Sequence, residues 1–203
     1  MNMDISRLDN LHVQKVFVGT GIESILDTTT SSEEFYEALF EETQRHMVWV
    51  TDDSALKYCV FVTETANCDT NKLLKVINSS KSPLYLWRID GKMFPKYSKC
   101  DCALFQDGKF FFVEFKANAI SQTPNSQEIT CEKACKQLQI TFEQFCQLYE
   151  KSGISFRELF TDIKAMVVLN KTIPRDTAFQ KNLKSTFLKN NKVILEFGNE
   201  KSF

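Results

Sequence analysis

Three residues of types that suit phosphodiester chemistry lie within residues 98–117, SKCDCALFQDGKFFFVEFKA. Asp101 precedes one apolar run, and Glu114 and Lys116 end the next, with an Asp-Gly pair between the two runs. Such a pair between strand-like runs predicts a two-stranded hairpin. Because successive side chains of a strand alternate faces, Glu114 and Lys116 share one face. The pattern predicts two carboxylates and an ammonium group at one end of a hairpin.

This trio has the composition of a metal-assisted hydrolytic site. Carboxylates hold Mg²⁺, which takes hard oxygen ligands and keeps several waters. The ion polarises a phosphoryl oxygen and lowers the pKa of a bound water. A neighbouring lysine can orient that water, help to deprotonate it, or stabilise the developing negative charge. The chemistry that fits these residues is hydrolysis of a phosphodiester.

The hairpin lies among alternating strand-like and helix-like patterns, which favour a mixed sheet covered by helices. The most periodic segment is 127–150, where residues at helical spacing form one apolar stripe. That stripe consists of Ala134, Leu138, Phe142, Phe145 and Tyr149. The other predicted helices cover 32–46, 70–79 and 176–189. The other predicted strands cover 12–18, 47–51, 58–63, 84–89, 163–169 and 193–197, with residues 52–54 as a turn.

The acid, the later Glu-x-Lys, the following helix and the next strand resemble the PD-(D/E)XK nuclease superfamily over residues 84–170. The resemblance implies an α/β fold with a central mixed sheet flanked by helices and a restriction-endonuclease-like core. Residues 1–83 and 171–203 would elaborate that core within a single domain of 203 residues. Cys100 stands where members often have proline, a departure that lowers the specificity of the match.

The resemblance also implies roles for individual residues. Asp101 and Glu114 would be metal ligands, the carbonyl of Phe115 a further ligand, and Lys116 the catalytic lysine. The implied cofactor is Mg²⁺, with Mn²⁺ as a substitute, and the implied reaction is endonucleolytic cleavage. DNA is favoured over RNA as substrate, and a homodimer would let two sites cut two strands.

Further residues are candidates for contact with nucleic acid. The superfamily helix that corresponds to 127–150 often supplies a Gln or Lys to the site, and a glutamate from 33–42 could serve a second metal. Residues 171–192 carry six basic residues against one acidic residue. For each segment the alternative is a solvated surface. The candidate contacts are Lys133, Lys136, Gln137, Lys181 and Lys184.

Composition limits the remaining choices. The 203 residues include 43% hydrophobic residues, enough for one domain with a substantial core, and the net charge of −1 provides no global basic field. Seven scattered cysteines, and the absence of a signal-like or membrane-spanning apolar run, favour a cytoplasmic protein with reduced thiols that pack in the core.

Three readings of the motif remain open at this stage. The first is the active nuclease. The second is a catalytically inactive nuclease-like domain that binds protein or nucleic acid as an assembly subunit. In the third, the motif is accidental in an unrelated α/β domain. The alternative for the Glu-x-Lys motif itself is a solvated pair of Glu114 and Lys116 on a half-exposed strand. The distance between Asp101 and Glu114 in the folded chain bears on the third reading.

Overall fold

A computed structural model describes residues 11–16, 32–66, 68–80, 82–90, 93, 98–118 and 123–203. The described helices are α1 (Val13–Val16), α2 (Ser32–Leu39), α3 (Pro124–Lys151), α4 (Phe156–Leu159) and α5 (Ala178–Asn191). The described strands are β1 (Phe40–Thr43), β2 (Met47–Asp53), β3 (Tyr58–Val62), β4 (Leu74–Ile77), β5 (Leu84–Arg88), β6 (Cys102–Gln106), β7 (Lys109–Phe115), β8 (Asp162–Val168), β9 (Ile194–Gly198) and β10 (Glu200–Ser202).

The strands form two mixed sheets. The first has the order β1-β5-β6-β7-β8-β9, antiparallel from β1 to β7 and parallel from β7 to β9. The second has the order β10-β4-β2-β3, with only the β10–β4 pair parallel. The predicted α/β class with a mixed sheet flanked by helices is confirmed. The sequence predicted one central sheet, however, and the described part of the chain forms two.

Each face of the six-stranded sheet has its own apolar core. Phe110 and Phe112 of β7 lie in a core with residues of all the described helices. Phe111 and Val113, which alternate with them, contact the second sheet and the C-terminal Phe203. The described chain is therefore layered as helices, six-stranded sheet and four-stranded sheet, and β6 and β7 are buried between the outer layers.

The β6–β7 hairpin forms for the reason that its sequence indicates. Asp107 and Gly108 have φ angles of 43° and 77°, the pair of positive values that a tight hairpin turn requires. All five residues of β6 are buried, as expected of a central strand with an uninterrupted apolar run. The predicted hairpin is confirmed, and it fixes the register of the two strands that carry the acidic residues.

Helix α3 packs across this hairpin. It begins with Pro124, whose missing amide hydrogen costs nothing in a first turn, and ends before Gly153, which has a φ of 74°. The predicted stripe is buried throughout, and Cys131, Cys135 and Thr141 extend it. The helix connects β7 to the parallel strand β8, and α5 likewise connects β8 to β9.

Three predicted elements differ from the structure. Residues 70–79, predicted as a helix, contain β4, whose alternating burial follows from pairing with β2 and β10. The predicted helix 32–46 ends at Leu39, and β1 follows because its residues pair with β5. The predicted strand 12–18 contains α1, and its last two residues lie outside the described part. Tertiary pairing overrides local propensity in such short segments.

Among the described residues, no helix combines the length and the apolar character needed to cross a membrane.

Candidate active site

The hairpin places Asp101 near Glu114. The register pairs Cys102 with Val113, and the amide of Asp101 donates to the Val113 carbonyl at 3.1 Å. The register ends at that pair, and the charge of Asp101 acts on Glu114, so the two acids lie near each other where the ladder ends. The amide of Phe115 then donates to Asp101 Oδ2 at 2.5 Å. The Asp101 carboxylate thus replaces a backbone acceptor where the ladder ends.

Helix α3 holds the segment that leads into Asp101. Gln137 Nε2 donates to the Lys99 carbonyl at 2.9 Å, and the Cys100 amide donates to Thr141 Oγ1 at 2.8 Å. The Thr141 hydroxyl in turn donates to the Gln137 carbonyl, one turn earlier in the helix. These bonds fix the backbone on the N-terminal side of Asp101. Gln137 is therefore engaged in positioning Asp101, although the sequence predicted a contact with nucleic acid.

Glu114 is the most deeply buried acid of this site. Its side chain has no exposed surface, and it continues the helix-facing row of Phe110 and Phe112. Its Oε1 accepts a hydrogen bond from Lys116 Nζ, and the lysine side chain is 24% exposed. Its Oε2 is buried without a hydrogen-bond partner. The alternative of a solvated Glu114–Lys116 pair on a half-exposed strand is therefore wrong.

Burial dominates the electrostatics of both acids. It raises the pKa of Asp101 to about 7, and the charge of Asp52 adds to the rise although the Phe115 amide opposes it. It raises the pKa of Glu114 to about 8, with the charge of Asp101 contributing and the Lys116 ammonium opposing. Buried carboxyl groups with raised pKa values are typical of functional sites, although structural ion pairs also produce them.

Two further acids act on this pair, and neither was among the predicted site residues. Asp52 ends the row of Val48 and Val50 that faces the six-stranded sheet, and burial together with the charge of Asp90 raises its pKa. Asp90 follows β5 and forms an ion pair with Lys99 at 3.4 Å. The sequence pattern placed Asp52 in a turn. If the strand alternation that begins at Val48 had been extended to residue 52, Asp52 would have been predicted on the face toward the six-stranded sheet.

A cavity of about 290 Å³ adjoins this end of the hairpin. Asp52 contributes to one wall, Phe115 and Ala117 to the facing wall, and Asp69 and Lys72 come from the connection between β3 and β4. It lies between the C-terminal ends of β2 and β7, where the two sheets face each other. The cavity wall therefore includes Phe115, whose amide donates to Asp101.

The donor set suits a hard divalent cation in its chemistry. The unpaired Oε2 of Glu114 is a buried acceptor that lacks any donor, and Asp101 supplies a second carboxylate near it. Among the described residues, no three His, Cys, Asp or Glu side chains lie close enough together to hold a metal ion. Mg²⁺ usually binds through one or two carboxylates, waters and substrate phosphates, so the pair of acids is compatible with it.

Two of the lysines predicted to contact nucleic acid extend from α3 into solvent. Lys133 and Lys136 are exposed on the helix face that points away from the core. Neither position excludes contact with a phosphate, and neither requires it. The two lysines remain predictions.

The lysines of α5 differ from each other. Lys181 is exposed. Lys184 forms an ion pair with Asp176 at 2.6 Å, and its ammonium lies 6.0 Å from the centre of the Phe197 ring. The charge of Lys184 is thus partly neutralised within the chain, which makes Lys181 the better candidate for a phosphate contact.

Glu41 and the cysteines have structural roles. Glu41, which follows α2, pairs with Arg88 at 3.1 Å and accepts a hydrogen bond from the Phe61 amide. All seven cysteines are free, and five of them are buried. The predicted packing role of the thiols agrees with this arrangement.

Comparisons of the chain with protein-family models, with curated proteins and with solved structures found no match.

Proposed function

We propose that the protein is a metal-dependent nuclease of the PD-(D/E)XK type, which hydrolyses phosphodiester bonds in DNA with Mg²⁺ as cofactor. The observation that carries the proposal is the unpaired, fully buried Oε2 of Glu114, next to Lys116 and near enough to Asp101 for the two charges to interact. A chain that buries a carboxylate oxygen without a donor loses stability, and binding of a cation would offset that loss.

The order of elements supports the same proposal. The chain runs from β5 through the β6–β7 hairpin to α3 and then to β8, which lies beside β7 and parallel to it. An acid before β6 and an acid-x-Lys at the end of β7 match the superfamily pattern in this framework. On this proposal residues 84–170 form the restriction-endonuclease-like core.

The side chains have separate roles in the proposed reaction. Asp101 and Glu114 would hold the cation, together with the carbonyl of Phe115, and α3 keeps Asp101 in place through the backbone before it. When bound, Mg²⁺ neutralises phosphate charge and lowers the pKa of a coordinated water. The Lys116 ammonium, fixed by Glu114, orients the attacking water and stabilises charge that develops on the phosphate.

The wider setting is part of the same proposal. Mn²⁺ would replace Mg²⁺, DNA is the favoured substrate, and the exposed Lys133, Lys136 and Lys181 would contact its backbone. The free thiols agree with a cytoplasmic protein. A homodimer would allow both strands of a duplex to be cut.

The experiment is a cleavage assay on supercoiled plasmid with the full chain, in Mg²⁺ and in EDTA. We expect cleavage in Mg²⁺ alone and a loss of at least about a hundredfold in Asp101→Asn and Lys116→Met. Lys151→Met, an exposed lysine in the last turn of α3, is the matched control and should cleave like the unaltered chain. Cleavage that persists in Asp101→Asn, with circular dichroism showing a folded protein, would contradict the assignment.

A second function is favoured by the full burial of Glu114 and its ion pair with Lys116. An inactive nuclease-like domain, acting as a binding or assembly subunit, could retain such a pair as a structural element. In that case calorimetry would detect no Mg²⁺ or Mn²⁺ binding, and Glu114→Gln would leave DNA or protein binding unchanged.

A further inference from the structure

The second sheet brings Asp52 to the proposed cation site. Val48, Val50 and Asp52 occupy alternate positions of β2, and the two valines are fully buried against the six-stranded sheet. Asp52 continues that row near the end of the strand. There the apolar contact between the two sheets ends and the cavity begins. Within the described part of the chain, its carboxylate has no hydrogen-bond or ion-pair partner.

Its neighbours in the cavity wall are already engaged. Asp53 Oδ1 accepts hydrogen bonds from the amides of Ala55 and Leu56, and so stabilises the turn after β2. Asp69 accepts from the Asn71 amide and lies 3.7 Å from Lys72. Asp52 differs from both because, among the described residues, no turn and no ion pair uses its carboxylate.

The charges around Asp101 leave room for a divalent cation. Four carboxylates influence one another here, namely Asp52, Asp90, Asp101 and Glu114. Among the described residues, the ammonium groups of Lys99 and Lys116 oppose them. The unpaired, fully buried Oε2 of Glu114 is an independent indication that a cation belongs to this cluster.

Asp52 and Glu114 approach Asp101 from opposite faces of the first sheet. Glu114 shares the helix-facing row of β7, whereas Asp52 comes from the sheet that covers the other face. Asp101 lies between them at the end of the ladder, bound to the Phe115 amide. This arrangement explains why no three acids lie within direct reach of one ion among the described residues.

We propose that Asp52 is a positioning residue of the cation site, which binds a cation-coordinated water from the side of the cavity. The inference rests on the proposed function, because it takes Asp101 and Glu114 as the ligands. Mg²⁺ and Mn²⁺ keep several waters when two carboxylates hold them, and those waters need acceptors. Loss of such an outer acceptor typically costs 10–100-fold in metal affinity.

The test is a calorimetric titration of the full chain with Mn²⁺ in the absence of DNA. Asp52→Asn should weaken Mn²⁺ binding by about tenfold or more, and Asp52→Glu, which keeps the charge, should restore binding to within about threefold. Asp69→Asn is the matched control: it removes one negative charge from the same cavity and keeps the oxygen that accepts the Asn71 amide. Its affinity should change by less than about threefold.

The outcomes separate this inference from the proposed function. Mn²⁺ binding by Asp52→Asn equal to that of the unaltered chain, or a loss equal to that in Asp69→Asn, would overturn the role of Asp52 alone. Mn²⁺ binding that depends on Asp52 in a chain that cleaves no DNA would support the role and overturn the nuclease proposal. No Mn²⁺ binding by the unaltered chain would overturn both. Melting temperatures establish that each variant is folded.

Discussion

Strand β6 starts beside Asp101 and ends at Gln106, and buried polar side chains lie next to both of its ends. At the far end, Gln106 Nε2 donates to Asn78 Oδ1 at 3.1 Å and to the Ser82 carbonyl at 2.7 Å. Gln106 Oε1 accepts from the Ser80 hydroxyl at 2.9 Å. At the near end, Glu114 keeps one oxygen without any donor.

The two ends therefore differ in what their polar groups do for the fold. The neutral polar groups around Gln106 satisfy one another's hydrogen-bonding capacity. They lie at the connection between β4 and β5, where the chain passes from one sheet to the other. The acids around Asp101 repel one another and have raised pKa values. A satisfied network contributes to stability, whereas a half-satisfied one reduces it unless a ligand completes it. The comparison indicates a structural end and a functional end.

The largest expected effect comes from Glu114→Gln, which keeps the shape and removes the charge. On the proposed function, DNA cleavage should fall by at least about a thousandfold, equivalent to about 4 kcal/mol. The free energy of unfolding in EDTA at pH 7 should not fall, because a pKa of about 8 keeps Glu114 largely protonated there and Gln has the shape of the protonated carboxyl group. Plasmid cleavage and urea denaturation measure the two quantities. A clear loss of stability with cleavage retained would show that the Asp101 end of β6 is structural and not functional.

Gln106→Met should give the opposite result at the far end. The substitution conserves volume but removes the donors and acceptor that serve Asn78, Ser80 and the Ser82 carbonyl. We expect a loss of about 2–3 kcal/mol in the free energy of unfolding, because buried polar groups are left unpaired. Cleavage by the folded fraction should be unchanged. A neutral effect in urea denaturation would show that the network contributes little to stability.

The dependence of stability on pH should come from the near end only. Unfolded Asp and Glu titrate near pH 4, whereas folded Asp101 and Glu114 titrate at about 7 and 8. Between these values the folded state binds more protons than the unfolded state. The contribution of these two groups to the free energy of unfolding is therefore greatest below pH 4, and it declines as the pH rises to about 8.

Urea denaturation in EDTA at pH 5.5 and 8.5 measures this decline, for which we expect about 2 kcal/mol or more. Asp101→Asn and Glu114→Gln should each reduce it. Gln106→Met should retain it in full, because no group that it removes titrates. A stability that does not change over this range would show that the two acids are not protonated in the folded chain.

The local structure at the Asp101 end of β6 could be predicted from the sequence. The Asp107-Gly108 turn fixes the hairpin, and the hairpin brings Asp101 near Glu114, so a pattern within 20 residues was sufficient. The helical period of α3 predicted its buried stripe. The bonds from Gln137 and Thr141 to the segment before Asp101 could not be predicted, because they depend on how deeply the helix packs on the sheet.

The second sheet could not be predicted for a related reason. β4 and β10 have four and three residues, and Lys75 of β4 pairs with Glu200 of β10 across 125 residues of sequence. Such short strands carry little local signal, and their pairing is decided by the rest of the fold. Because that sheet positions Asp52, the missed sheet and the missed acid have one cause.

The smallest expected effect tests how far the network at the far end extends toward solvent. Ser80 is itself exposed, yet its hydroxyl donates to Gln106 Oε1 and contacts Asn78 Oδ1. Ser80→Ala should lower the free energy of unfolding by about 1 kcal/mol, because a buried acceptor loses its donor. Ser79→Ala, at the exposed neighbouring position, is the matched control and should stay within about 0.5 kcal/mol. Equal losses of stability in the two variants would show that the network does not extend to Ser80. The contrast between the two ends of β6 would then rest on the buried side chains of Gln106 and Asn78 alone.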